Sequence, residues 1–238
     1  MLETSHDLLS DGRETLGPRL WIQAGAQFGH RVGIWRNAKN RVLVELVSPV
    51  VLDSGLHLFV APNGSGKTTL LRTLAGLHPV LTGRIQVTGA VHYVSDQMQL
   101  DGELSARTLF KTWFRGNALS YCYHLVERLV LDVACEIGKL SRGNRQKVLL
   151  IVAETLAAVA GPSLLFLDEP LSGMDAETRA VVAEFWASTN TEVLRLVVLH
   201  ELECVKQADS LFTVTCGELR HTSQQTGSWV ETCRGLRA

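Results

Sequence analysis

The sequence predicts an α/β domain with an inserted helical subdomain, and three observations predict it. Strand-like and helix-like runs alternate up to about residue 100 and again after about residue 160. Between those points the periodicity is helical, as in "SYCYHLVERLVLDVA". A glycine-rich turn, "APNGSGKTT" at 61–69, separates a strand pattern from a helix pattern, the setting in which a backbone loop can wrap a phosphate.

Residues 1–18 are polar and acidic, lack the apolar stretch of a signal peptide, and read as a poorly ordered extension to a domain over 19–238. From Leu20 to Val60, "RVGIW", "RVLVELV" and "LHLFVA" read as strands, split by the turn letters "RNAKN" and "DSG". Thr68–His78 reads as a helix striped by Leu70, Leu71, Leu74 and Leu77. Strands return in "GRIQVTGAVHYVSDQ", and the helical segment of about 100–160 follows. Alternation then resumes with "SLLFLDEP", "AETRAVVAEFWAST" and "VLRLVVLHE". The most apolar stretch, "VLLIVAETLAAVAGPSLLFLD", is cut at Glu154 and at Gly161-Pro162, as expected of a helix ending before a buried strand. A membrane span needs about 20 continuous apolar residues, so the chain is expected to be soluble.

Composition excludes several classes. The 238 residues carry 23 Lys+Arg against 24 Asp+Glu, which argues against a general nucleic-acid binder. The five cysteines (Cys122, Cys135, Cys204, Cys216, Cys233) form no C-x-x-C pair and read as reduced thiols in a cytosolic protein. His200-Glu201 begins like a zinc-binding H-E-x-x-H, but position 204 is Cys.

The loop carries the first chemistry. Its residues Asn63, Gly64, Ser65, Gly66, Lys67, Thr68 and Thr69 are candidate nucleotide contacts. Successive N–H groups and the following helix N-terminus favour an anion. Gly64 and Gly66 permit backbone angles and close approach that a Cβ would block. Lys67 supplies a charge to the β- and γ-phosphates, and the Thr68 hydroxyl can ligate Mg²⁺. The usual pattern begins with Gly where this chain has Ala61, a departure of one methyl at the strand exit. A second site follows "SLLFL": Asp168, at the end of a buried strand, can hold Mg²⁺, and Glu169 can polarise an attacking water.

Upstream lies "LSRGNRQKV" at 140–148, ahead of a long helix. Together these segments, over about residues 35 to 205, resemble the nucleotide-binding domain of ABC (ATP-binding cassette) ATPases, whose signature is L-S-G-G-Q before a helix. The resemblance implies a P-loop NTPase core of the ABC type with an antiparallel β subdomain and the inserted helical subdomain. It implies ATP and Mg²⁺ as ligands. Gln97 in "YVSDQ" is similar to the Q-loop glutamine, which serves both Mg²⁺ and the attacking water. Ser141 and Gly143 match the signature, where Arg142 replaces a glycine and Asn144 a glutamine. Asp175 in "SGMD" is similar to the D-loop aspartate and equally suits a helix cap. His200 in "VVLHE" is similar to the switch histidine. Trp35, standing 32 residues before Lys67, is placed like the aromatic that stacks on adenine, and equally like a core aromatic.

The resemblance also implies partners. Two subunits, copies of this chain or a homologous ATPase, are expected to pair head-to-tail with ATP between Lys67 of one and Ser141 of the other. An integral membrane transporter subunit is expected to dock near residues 97–114, where Met98, Leu100, Leu104, Leu109, Phe110, Trp113 and Phe114 offer either a docking surface or a small core. The protein would then work in the cytoplasm, peripheral on the inner face of the membrane. The compact form suits an exporter-type subunit; the alternative is a soluble ABC ATPase of the iron–sulfur assembly kind.

Overall fold

The computed structural model describes residues 17–32, 39–188 and 192–237. The chain runs through β1 (Arg19–Ile22), β2 (Gln27–Val32), β3 (Lys39–Leu46), β4 (Val50–Leu52), β5 (Gly55–Val60), α1 (Lys67–Leu74), β6 (Ile85–Thr88) and β7 (Ala90–Ser95). Three helices follow: α2 (Ala106–Trp113), α3 (Gly116–Arg128) and α4 (Arg142–Val159). The last part comprises β8 (Ser163–Asp168), α5 (Ala176–Ser188), β9 (Val193–Val198), β10 (Ser210–Thr215), β11 (Glu218–Thr222) and α6 (Trp229–Arg237).

Two sheets form. The smaller is antiparallel, in the order β4-β1-β6. The larger has eight strands in the order β2-β3-β11-β10-β5-β9-β8-β7, and its five strands from β10 to β7 are all parallel. Parallel strands are covered on both faces, so they require apolar side chains in both directions. β8 meets that requirement: Leu165 and Leu167 enter one core with the helices, while Leu164 and Phe166 enter a second core with α1 and the small sheet. These are the α/β core, antiparallel β region and helical insertion expected from the sequence.

Register sets the site. Ser95 of β7 pairs with Asp168 of β8, Asp168 with Val198 of β9, and Val198 with Phe59 of β5. The carboxyl ends of four parallel strands therefore lie level, and the phosphate loop, the Gln97 turn, Asp168-Glu169 and His200 follow the strands at that edge, where open α/β sheets bind ligands.

One sequence expectation changes here, and one open alternative resolves. Glu154 does not end a helix: α4 continues past it to Val159, and its carboxylate is 1% exposed. The helix tolerates it because Arg195 of β9 donates to both carboxylate oxygens, with the shortest bond at 2.8 Å, and the Trp186 indole donates at 2.7 Å. Only Gly161-Pro162 acts as the break. The segment after Gln97 is also largely core: Leu109, Phe110 and Phe114 are buried, whereas Met98 and Trp113 remain exposed.

Candidate functional site

The phosphate loop follows from the end of β5, where the chain turns through Ala61–Gly66 into α1. Gly64 and Gly66 take φ of +77° and +93°, left-handed values that favour glycine. A Cβ on Gly66 would also press to 3.1 Å from the side chains of Leu43 and Val44. Gly66 is the N-cap of α1, no side chain caps that end, and no acid stands in its first turn. The first amides are thus left for an anion. Lys67 is buried, and its ammonium donates to Ala61 O at 2.9 Å and Pro62 O at 3.2 Å. Burial pulls its pKa down, and the Glu169 and Asp168 carboxylates oppose that shift.

A cavity of about 510 Å³ opens over this loop, lined by His30, Asn63, Gly64, Lys67, Thr68, Thr69, Glu169 and His200 among others. Asp168 ends β8 beneath it. Burial pushes the Asp168 carboxyl above its usual range, partly offset by a hydrogen bond with the Thr68 side chain. Its Oδ2 accepts from the Tyr93 hydroxyl at 3.4 Å, while its Oδ1, fully buried, has no partner at hydrogen-bond distance and angle among the described residues, the Thr68 side chain standing close by. A hydroxyl beside an orphaned carboxylate oxygen is a hard-oxygen donor pair that fits Mg²⁺. Glu169 adopts φ of +55°, rare for a residue with a Cβ and a strain that clusters at functional sites. Its Oε1 lies 2.8 Å from His200 Nε2.

The remaining candidates lie elsewhere. Ser141 caps α4, its hydroxyl accepting from Asn144 N at 3.2 Å. Gly143 packs so closely on the Gly173 carbonyl that a Cβ there would collide with it. Asp175 caps α5 by accepting from Thr178 N at 2.7 Å, and that hydrogen bond holds its carboxyl below the usual range. None of Ser141, Gly143 or Asp175 lines the phosphate cavity. Nor does Gln97, expected among the metal and catalytic groups. It faces a separate groove of about 640 Å³ with Met98, Leu100, Arg142, Gln146 and others, because the Asp96–Gln97 turn is held towards α4. Trp35 lies outside the described residues.

Sequence reasoning missed His30. It reaches the cavity because β2 runs beside α1, and its Nε2 sits 3.3 Å from the Thr69 hydroxyl. No motif or spacing marks it; only the pairing of β2 with β3 brings it there.

Comparisons with known proteins follow this geometry. A family profile described as ABC transporter matches residues 52–172. The zinc import ATP-binding protein ZnuC of Cereibacter sphaeroides is 34% identical over 182 residues, covering 73% of this chain and 72% of that protein. The aliphatic sulfonates import ATP-binding protein SsuB 1 of Pseudomonas fluorescens is 31% identical over 199 residues, covering 75% and 73%. Among solved structures, an inward-facing metal-chelate type ABC transporter aligns with a TM-score of 0.64 at 20% identity, over 87% of this chain and 83% of that one. An ATP-bound bacterial Atm1-family exporter aligns at 0.70 and 18% identity, over 92% of this chain and 41% of that one. At such identities these structures speak for the fold alone. The exporter-type expectation finds no support among the sequence relatives, several of which carry import names, and neither does the soluble iron–sulfur assembly alternative. Held against the loop, the Asp168-Glu169 pair and the signature helix, these matches make the chain a member of the ABC transporter ATP-binding family, an ATPase of that fold.

Proposed function

We propose that the chain is the subunit whose ATP hydrolysis drives a separate membrane subunit, and that two ATPase subunits close head-to-tail around ATP. The observation that carries this reading is the division of the nucleotide-handling residues. Lys67, Thr68, Glu169 and His200 line one cavity, with Asp168 beneath it, while Ser141 and Gly143 stand outside. Each chain then offers two incomplete half-sites. Opposing two chains brings the signature of one to the γ-phosphate held by Lys67 of the other, so ATP becomes part of the interface and hydrolysis opens it.

Within that dimer the residues have separate tasks. The loop amides and Lys67 hold the β- and γ-phosphates, and Thr68 with Asp168 would hold Mg²⁺. When bound, that ion neutralises charge on the phosphate oxygens. Glu169 accepts a proton from the attacking water, and His200, 2.8 Å away, fixes the carboxylate. The membrane subunit docks at the groove beside Gln97, where Met98 is exposed. No helix among the described residues is long and apolar enough to cross a membrane, which suits a peripheral place on the cytoplasmic face. Import is the direction named for the relatives and is the one we assign.

Glu169→Gln tests this. Losing a general base should cut hydrolysis by about 10²–10⁴ while ATP binding persists. The variant should run as a dimer in ATP and as a monomer in ADP on size-exclusion chromatography. Hydrolysis at the parent rate would remove Glu169 as the base, and an inactive protein that stays monomeric in saturating ATP would overturn the dimer.

A further inference from the structure

We infer that Arg142, standing where the signature resemblance has a glycine, is a positioning residue that couples the two ATP sites of the dimer. This rests on the head-to-tail reading above.

Arg142 touches two other nucleotide-handling segments of its own chain. Its guanidinium donates to Asp96 Oδ2 at 2.9 Å, in the turn that carries Gln97. Its Cγ and Cδ cover Gly173, where an added Cβ would lie 3.1 and 3.3 Å away, in the segment that leads to Asp175. One helical turn on, Gln146 Nε2 donates to Asp96 O at 3.3 Å, so α4 grips the same turn twice. The turn is in turn tied to the metal-binding strand, since Asp96 N donates to Asp168 O at 3.2 Å.

The path is short and physical. Ser141 and Gly143 serve the nucleotide of the opposite site, whereas Asp168 serves the chain's own. Arg142 and Asp96 join them. A glycine could make neither the ion pair nor the cover over Gly173. The Arg142 and Asp96 side chains are 61% and 20% exposed, so solvent screens the pair. The pair therefore adds little to stability. Its effect lies in the linkage: when the signature closes on one ATP, the turn at Asp96 and the end of β8 move with it, and the second site is formed before its nucleotide arrives.

The test is the ATP dependence of hydrolysis by the full chain. The parent should be cooperative, with a Hill coefficient between one and the limit of about two set by two sites. Arg142→Gly and Asp96→Asn should each lower it to about one at an unchanged melting temperature, and the double variant should go no lower. Reversing the pair, Arg142→Asp with Asp96→Arg, should restore cooperativity. A parent coefficient of one, or variants that keep the parent's value, would overturn the coupling. So would loss on Arg142→Gly but not on Asp96→Asn, because Arg142 would then act on the phosphate directly. A reversed pair that stays at one would also overturn it. Failure of the dimer reading is seen separately, in Glu169→Gln that stays monomeric in ATP.

Discussion

Glu154 and Asp168 are both carboxylates buried to 4% exposure or less, yet their surroundings treat them in opposite ways. Glu154 accepts from Arg195 Nε at 3.1 and 3.2 Å, from Arg195 Nη2 at 2.8 Å, and from Trp186 Nε1 at 2.7 Å. Its lost hydration is returned by the protein. Asp168 has a 3.4 Å contact from Tyr93 on Oδ2 and the Thr68 side chain nearby, its Oδ1 has no hydrogen-bond partner among the described residues, and burial still raises its pKa. Its lost hydration is returned only in part until a ligand arrives. Burial of charge alone therefore says little about role; the state of the remaining lone pairs separates an acid that holds the fold from one that waits for substrate.

The comparison breaks first at Glu154. Glu154→Gln removes the carboxylate that the buried Arg195 guanidinium grips through both oxygens, which should cost about 3–5 kcal/mol. Urea unfolding would show this as a lower midpoint at unchanged slope. ATP affinity of the folded protein should stay within about threefold, because the sites share no partner. Replacing both charges, Glu154→Leu with Arg195→Met, should give a protein more stable than the single variant. Parent-like stability in Glu154→Gln would mean the pair does not hold the fold.

The sequence declared one of these acids and hid the other. Asp168 stands at the end of "SLLFL", and strand-end acids after a phosphate loop point to Mg²⁺ by chemistry alone. Glu154 looked like a break in an apolar run because its partner Arg195 is 41 residues away, in a strand rather than in its own helix. Pairings of that range depend on tertiary packing, as does the arrival of His30 beside Thr69. Gln97 was legible as a motif but not as a place, since the direction of its turn is set by Arg142 and Gln146. That β8 is a buried strand was legible in its apolar run Leu164–Leu167, as a sheet covered on both faces requires.

A second break lies at Lys67. Among the described residues its ammonium bonds only to oxygens of its own loop, so Lys67→Ala should shift stability by no more than about 1 kcal/mol. Nucleotide affinity should fall at least about a hundredfold, the scale of losing a donor aimed at developing or fixed negative charge. Calorimetric titration with ATP and thermal melting of the same sample would read both. Retained affinity would remove Lys67 from the site.

Asp168→Asn sharpens the contrast by making at Asp168 the change made at Glu154. The folded pKa of Asp168 is raised above the unfolded value, so this group's contribution to stability is present below the unfolded pKa and is lost as pH rises through the folded one. The amide should therefore leave the ligand-free protein as stable as the parent, or up to about 2 kcal/mol more so. Its stability should also decline less than the parent's between pH 4 and 7. Hydrolysis should fall with the loss of the metal-binding oxygen. Destabilisation on the scale of Glu154→Gln would show that Asp168 is held by the fold after all.

The smallest effect concerns Ala61, where the phosphate loop departs from its usual first glycine. A glycine is required at a left-handed backbone or at a close contact, and Ala61 meets neither condition: it is not among the residues with positive φ. Its methyl is instead buried, 6% exposed, in the second core with Phe59, Leu70 and Phe212. The group that faces Lys67 is the Ala61 carbonyl, which either residue supplies. Ala61→Gly should thus leave ATP affinity within about threefold, since the donors to phosphate are untouched. Stability should fall by about 1 kcal/mol, from the lost burial of one carbon and the added freedom of the unfolded chain. Titration and urea unfolding of one preparation separate the two. A hundredfold gain in affinity would make the methyl a brake on nucleotide binding, whereas the expected pair of results makes it a core contact at the edge of the site.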